Sequence, residues 1–183
     1  MSGHSHWAGI KHKKGVTDQK RAIVFSKLLA AVTIAARSEP NPDFNPRLRT
    51  AVQKARAEQV PADAIERALK RASEKNENLE ELTFEAYGPG GSALLIEAVS
   101  DNRNRAVAEV KKILSDNDAK WAEAGSVRWA FEEKRDGEVR WTAKFPQELS
   151  PDDRTKLGAL VVALEDHGDV QDVYTNAPPS SNG

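Results

Sequence analysis

Cysteine is absent from this 183-residue chain, which excludes disulfide staples and thiolate metal sites and suits a reducing compartment. No apolar run approaches the ~20 residues that a membrane span needs. The N-terminus lacks the apolar core of a secretory signal, and glycine stands at position 3 rather than 2, so no myristoylation signal is read. A cytoplasmic protein that does not enter a membrane is expected. Catalytic patterns are missing as well. There is no cysteine nucleophile, no Gly-x-Ser-x-Gly elbow and no His-Glu-x-x-His, and the carboxylates are scattered over polar helix faces. Neither an enzyme nor a cofactor site is expected.

What the chain does have is a split of charge. The formal net charge is -1, yet residues 1–75 hold 15 Lys+Arg against 7 Asp+Glu, a net of +8. Residues 76–183 hold 12 against 21, a net of -9. Such asymmetry points to a polyanion-facing half joined to an acidic half. The first fourteen residues sharpen this reading. They combine His4, His6 and His12 with Lys11, Lys13, Lys14 and Trp7 among small residues, and no amphipathic helix or strand passes through them. Lysine neutralises phosphate and an indole stacks on a base, so RNA or DNA is the natural partner. An unselected floppy terminus is the bland alternative. Ser2-Gly3-His4 has a spacing able to chelate Cu(II) or Ni(II) after Met1 removal, but nothing nearby supplies a second shell to fix the rings. No metal site is expected.

Residues 17–75 read as three amphipathic helices forming a small antiparallel bundle. The first starts near Thr17, carries the stripe Phe25, Leu28, Leu29, Val32 and Ala36, and stops before the two prolines of Ser38-Glu39-Pro40-Asn41-Pro42. Asn45 and Pro46 cap and open the second. Its Leu48, Val52 and Ala55 face inward, with Arg47, Arg49, Lys54 and Arg56 away from them. Pro61 opens the third, with Ile65, Ala68, Leu69 and Ala72 inside and Arg67, Lys70 and Arg71 outside. Lys75 to Glu81 is a polar linker.

The remainder alternates in type. Strands are expected at 82–87 and 92–100 around Gly88-Pro89-Gly90-Gly91, then a helix from 103 to 117. Strands at 126–133 and 138–145 follow, joined through Asp136-Gly137, a strong hairpin signal. Ser150-Pro151 opens a helix ending near Gly168, where His167 reads as a partner of the helix dipole, and a last strand covers 169–175. From residue 92 the order is strand, helix, strand, strand, helix, strand, which is ferredoxin-like. The fold class is therefore α+β: a three-helix bundle (17–75) behind a flexible basic segment (1–16), then a ferredoxin-like α/β sandwich (82–176) and a disordered tail (177–183).

Three further features invite chemistry. The Gly88–Gly91 run lacks the Lys-Ser/Thr of a phosphate loop and reads as a turn. Asp101-Asn102-Arg103-Asn104-Arg105 sits at a strand-to-helix junction, where free N–H groups favour an anion. Either Asn102, Arg103 and Arg105 grip phosphate there, or they are a cap with solvated arginines. Trp129 and Trp141 alternate with Val127, Phe131, Val139 and Phe145, which places them under the helices rather than on a base-stacking platform.

The stretch Gly3-His4-Ser5-His6-Trp7-Ala8-Gly9-Ile10-Lys11-His12-Lys13-Lys14 resembles the opening of the YebC family, which includes a mitochondrial translational activator of cytochrome oxidase. The similarity continues through Asn45-Pro46-Arg47-Leu48-Arg49, Ile65–Arg71, Tyr87–Gly91, Asp101–Arg105, Gly125-Ser126-Val127 and Asp169–Tyr174. His6 stands where the family usually has Lys, Gly9 where it has Asn, and Ala86 where it has Gly. Family members are longer, with a third domain inserted into the middle one. Here Trp129-Ala130-Phe131 passes through a short hairpin into Phe145-Pro146-Gln147-Glu148-Leu149, so that third domain is expected to be absent.

The resemblance implies a non-enzymatic regulator of gene expression. Two attributions belong to the family: a DNA-binding transcriptional regulator, and a ribosome-associated factor supporting translation, including through proline-rich stretches. The residues favour RNA, because a flexible Lys/His/Trp tail suits crevices of folded RNA and no helix-turn-helix or leucine zipper is evident. Ribosomal RNA is the favoured partner and DNA the alternative, with the protein acting as a monomer. The contacts are expected from His4, His6, Trp7, Lys11, His12, Lys13 and Lys14, from Lys20, Arg21, Arg47, Arg49, Arg67, Lys70 and Arg71, and from Asn102, Arg103 and Arg105.

Overall fold

Helix α1 (Asp18–Ala36) begins at Thr17, whose hydroxyl accepts the Lys20 N–H at 3.4 Å. The computed structural model describes residues 17–74, 78–135 and 139–177, so the His4–Lys14 segment, the Asp136-Gly137 turn and the tail beyond Ala177 lie outside it. Helix α2 (Pro46–Ala57) opens as the sequence leads one to expect. Asn45 accepts the Leu48 N–H at 3.0 Å through its side-chain oxygen, while its amide donates to the carbonyls of Ala35 (2.8 Å) and Glu39 (2.7 Å). One buried side chain thus caps α2 and ties it to the end of α1. Replacing Asn45 with alanine should cost roughly 2 kcal/mol in urea unfolding, a cap of about 1 kcal/mol plus two stranded carbonyls. A loss below about 0.5 kcal/mol would show that water takes over all three bonds.

Helix α3 (Ala62–Ala72) follows after a turn in which Gln59 adopts φ 61°. Val32, Ala35, Leu48, Val52, Ala55, Ile65 and Ala68 from the three helices share one apolar cluster. Helix α1 is its centre: it packs along both α2 and α3, which meet each other only briefly. The C-terminal half of α1 is also buried beyond its predicted stripe, from Val32 through Ala36, because it touches strands of the second half as well. No helix among the described residues is long and apolar enough to cross a membrane.

The second half is an antiparallel sheet with two helices on one face. Strands β1 (Glu80–Tyr87), β2 (Ala93–Ser100), β3 (Lys120–Ala122) and β6 (Val170–Thr175) stand in the order β3-β1-β2-β6. Between β1 and β2, Pro89–Gly91 form a 3₁₀ turn with Gly90 at φ 67°, where a side chain would also meet Leu149. Helices α4 (Arg103–Asp116) and α5 (Pro151–Glu165) press Val110, Leu114, Leu157, Leu160 and Leu164 onto Leu82, Phe84, Leu94 and Ile96. Asn102 caps α4 by accepting the Arg105 N–H at 3.0 Å, and Ser150 caps α5 by accepting the Asp153 N–H at 3.1 Å. Strands β2 and β3 run parallel on either side of β1, the split β–α–β arrangement of a ferredoxin-like sandwich. The α+β class stands.

The connectivity corrects the strand assignments. The strands expected at 126–133 and 138–145 do not enter this sheet. They form a separate hairpin, β4 (Phe131–Arg135) with β5 (Val139–Ala143), and the sheet takes its third strand from the three residues of β3. The reason lies in Glu85 on β1. Its carboxylate accepts the N–H groups of Gly125 (2.6 Å), Val127 (2.7 Å) and Arg128 (3.0 Å). Backbone donors held by a side chain cannot also build a strand ladder. Residues 123–127 therefore form a loop, and Arg128–Ala130 a short 3₁₀ turn.

The tryptophan reading changes with it. Val127, Phe131, Ala93, Leu95 and Tyr174 form a cluster on the sheet face opposite α4 and α5, with Trp141 packed against its edge. Trp129, expected beneath the helices, is 64% exposed.

Candidate nucleic-acid interface

The cations predicted to meet phosphate fall into three groups. Lys20, Arg21, Arg49, Lys70 and Arg71 are exposed on α1, α2 and α3, as is Arg56. Arg49 and Arg56 lie two turns apart on one stripe of α2. Among the described residues no carboxylate is paired with Lys20, Arg21, Arg49, Arg56 or Lys70. Arg67 is exposed too, but it binds Asp63 one turn earlier at 2.7 Å.

Arg47 is directed elsewhere. It crosses to β1 and pairs with Glu81, lining a cleft of about 520 Å³ between α1 and α2 on one side and the sheet and hairpin on the other. Lys27, Lys54, Arg128 and Arg140 line the same cleft, as do Glu58, Glu97, Glu133 and Asp172. Mixed charge of this kind does not make a phosphate groove. Glu97 on β2 is the most perturbed group in it. Burial pushes its carboxyl up to about 7 from an ordinary 4.5, and Asp172 and Glu81 add repulsion. The Trp141 indole N–H, donating at 2.8 Å, and the charge of Arg47 pull the other way.

The third group, Asn102, Arg103 and Arg105, lies at the start of α4. Asn102 is the cap, and Arg103 approaches Glu80 at 3.9 Å. Arg105 reaches Asp169 at 2.9 Å and Asp101 at 3.0 Å, pairings that raise its already high pKa, with Asp169 the larger influence. The local geometry is that of a cap with its arginines turned to neighbouring carboxylates. His167 sits beside this network: Nε2 faces Glu109 at 2.6 Å, and Nδ1 accepts the Asp169 N–H at 3.1 Å. Ligand atoms of Glu109, His167 and Asp169 lie within 4.8 Å of one another, but Arg105 already supplies the positive charge that a metal would bring.

Glu85 escaped the sequence reading because an acidic residue in an alternating strand looks like one that faces water. Its partners lie 40 to 43 residues away, so nothing local marks them. Burial opposes ionisation of its carboxyl, yet the three backbone donors and the charge of Arg128 outweigh burial and hold it below the ordinary 4.5.

Known proteins share this layout. Residues 5–75 match the TACO1/YebC protein N-terminal domain, and residues 79–137 match the TACO1/YebC second and third domain. The chain belongs to the TACO1/YebC family. A TACO1/YebC-type relative from Koribacter versatilis, named as a probable transcriptional regulatory protein, is 51% identical over 136 residues, covering 73% of this chain and 55% of the relative. A protein of the same name from Desulfatibacillum aliphaticivorans is 45% identical over 177 residues, covering 95% of this chain and 69% of its own length. The chain thus spans little more than half of the Koribacter protein. The crystal structure of the conserved hypothetical protein Aq1575 from Aquifex aeolicus superposes with a TM-score of 0.83 at 28% identity, over 97% of this chain and 99% of that one. The second TACO1/YebC match ends at residue 137, between β4 and β5, which pair residue for residue with only 136–138 connecting them.

Proposed function

We propose that the protein is a non-enzymatic, nucleic-acid-binding regulator of gene expression, acting as a monomer in the cytoplasm, with ribosomal RNA its favoured partner and support of translation through proline-rich stretches its role. The observation that carries this reading is the exposed Lys20, Arg21, Arg49, Arg56 and Lys70 on α1–α3, none paired with a carboxylate among the described residues, placed directly after the Lys/His/Trp segment. Lys11, Lys13 and Lys14 with His4, His6, Trp7 and His12 enter RNA crevices, while Lys20, Arg21, Arg49, Lys70 and Arg71 hold neighbouring phosphates. Arg67 contributes once it leaves Asp63. Arg47, Asn102, Arg103 and Arg105 are secondary contacts at best, since their partners already lie within the protein.

Helices α2 and α3 are joined by four residues, 58–61, where a helix-turn-helix would be sought. The first turns of α3 carry Glu66, which repels phosphate, and Asp63, which engages Arg67, at the place where a recognition helix must enter a groove. This favours folded RNA over duplex DNA. DNA remains the second reading because the relatives are named as probable transcriptional regulatory proteins.

Deleting residues 2–14 should abolish co-sedimentation with ribosomes while leaving the thermal unfolding curve in place. The salt dependence of RNA binding should flatten with it: removing three lysine contacts lowers the log–log slope by roughly 2. Ribosome association that survives the deletion would overturn the RNA reading. A duplex-sequence preference that persists at physiological salt would establish the DNA reading instead.

A further inference from the structure

Among the described residues four large apolar side chains are strongly exposed, and three of them, Tyr87, Trp129 and Phe145, gather around one loop. The Trp129 indole N–H and the Tyr87 hydroxyl both donate to the Ser126 carbonyl, at 2.8 and 3.3 Å. The Phe145 ring lies 6.0 Å from that of Trp129, tilted by 50°. The polar atoms of Trp129 and Tyr87 are thus turned onto the protein, while much of the ring surface of Trp129 (64% exposed) and Phe145 (61%), and part of that of Tyr87 (42%), stays open to solvent. The loop beneath them is not loose, since Glu85 holds its N–H groups at residues 125, 127 and 128. Two of the sequence motifs with no role in the proposed interface, Tyr87–Gly91 and Gly125–Val127, meet here.

The charges around the rings are mostly positive. Lys120 is the cross-strand partner of Tyr87, and Lys144 adjoins Phe145 and bonds through its N–H to the Ala130 carbonyl, whereas Arg128 turns away into the cleft and lies over the Trp141 ring. Glu123 is the acidic residue of the same loop. Exposed rings on a fixed loop, flanked by Lys120 and Lys144, suit unpaired nucleobases, whose faces stack on aromatics while their phosphates meet lysine. A duplex offers neither free base faces nor the flexibility to reach them.

We infer that Tyr87, Trp129 and Phe145 form a stacking platform for unpaired bases of single-stranded RNA, separate from the cationic helical surface. The inference rests on the nucleic-acid reading above. It is tested with the full chain, a short labelled single-stranded oligouridine and a labelled RNA duplex, by fluorescence anisotropy. The Trp129→Ala/Phe145→Ala variant should bind the single strand at least about tenfold more weakly and the duplex about as well as before. Trp129→Phe and Tyr87→Phe, which keep a ring, should retain most of the single-strand affinity, and tryptophan fluorescence of the parent protein should be quenched by the oligonucleotide. Equal single-strand affinity in parent and double variant overturns this inference alone. Failure of the parent to bind either RNA overturns the nucleic-acid reading with it. Concentration-dependent self-association that the double variant removes would assign the platform to a second copy of the chain, and would overturn the inference too.

Discussion

Replacing Glu85 with alanine should destabilise the protein by roughly 3 kcal/mol and release the loop between β3 and β4. The estimate follows from three backbone donors losing one acceptor, each costing about 1–3 kcal/mol where water cannot replace it. The Val127 N–H is buried, whereas those of Gly125 and Arg128 lie nearer solvent, so the lower part of that range applies to them. Glutamine should rescue only part of the loss, since its carbonyl oxygen can still accept the Val127 and Arg128 N–H groups while its amide sets a donor against that of Gly125. The pH dependence has a definite sign. Because the folded carboxyl titrates below its ordinary 4.5, the stabilisation is present above that value and is lost as acid protonates the group. Urea unfolding of the variant and its parent at neutral pH and near pH 3 measures both effects. A loss below about 1 kcal/mol at neutral pH would show that solvent satisfies the loop unaided. The variant should also blunt single-strand RNA binding, because Trp129 and Ser126 ride on that loop.

Glu97 should behave in the opposite sense. Its folded carboxyl titrates at about 7, above the ordinary 4.5, so the folded state holds a proton that the unfolded chain gives up. Stability from this group is therefore present in full below about 4.5 and falls as pH rises through about 7. The shift corresponds to an upper bound of about 3 kcal/mol, discounted because the cleft is open on one side. Glu97→Gln keeps an acceptor for the Trp141 indole and removes the charge beside Asp172 and Glu81. It should stabilise the fold by roughly 1–3 kcal/mol at pH 8, have little effect near pH 5, and flatten the decline between them. Denaturant titrations at the two pH values decide the matter, and a variant no more stable than its parent at pH 8 would show that Glu97 ionises without strain. Since Glu97 sits where α1 and α2 face the sheet, its ionisation also bears on how firmly the two halves close on each other.

Much of the fold was legible locally. The caps at Asn45, Asn102 and Ser150 and the proline stops act within a few residues, so the sequence places the five helices to within a turn. The interface is legible only in part. Exposed cations on amphipathic helices follow from periodicity, but the choice between an outward face and an inner cleft does not. Arg47 and Arg49 are two residues apart on one helix, and only the approach of β1 sends the first to Glu81 and leaves the second outside. The same holds for Arg105, which finds Asp169 across 64 residues.

By itself the chain determined the absence of cysteine, the +8 and -9 halves, the helix ends and the α+β class, because composition, periodicity and capping act over short distances. Tertiary structure decided which strands pair and which rings face water. Backbone donors have a single use, and distant groups compete for them. Glu85 won those of the 125–128 loop, so the sheet took β3 instead, the hairpin turned onto the opposite face, and Trp129 was left outside.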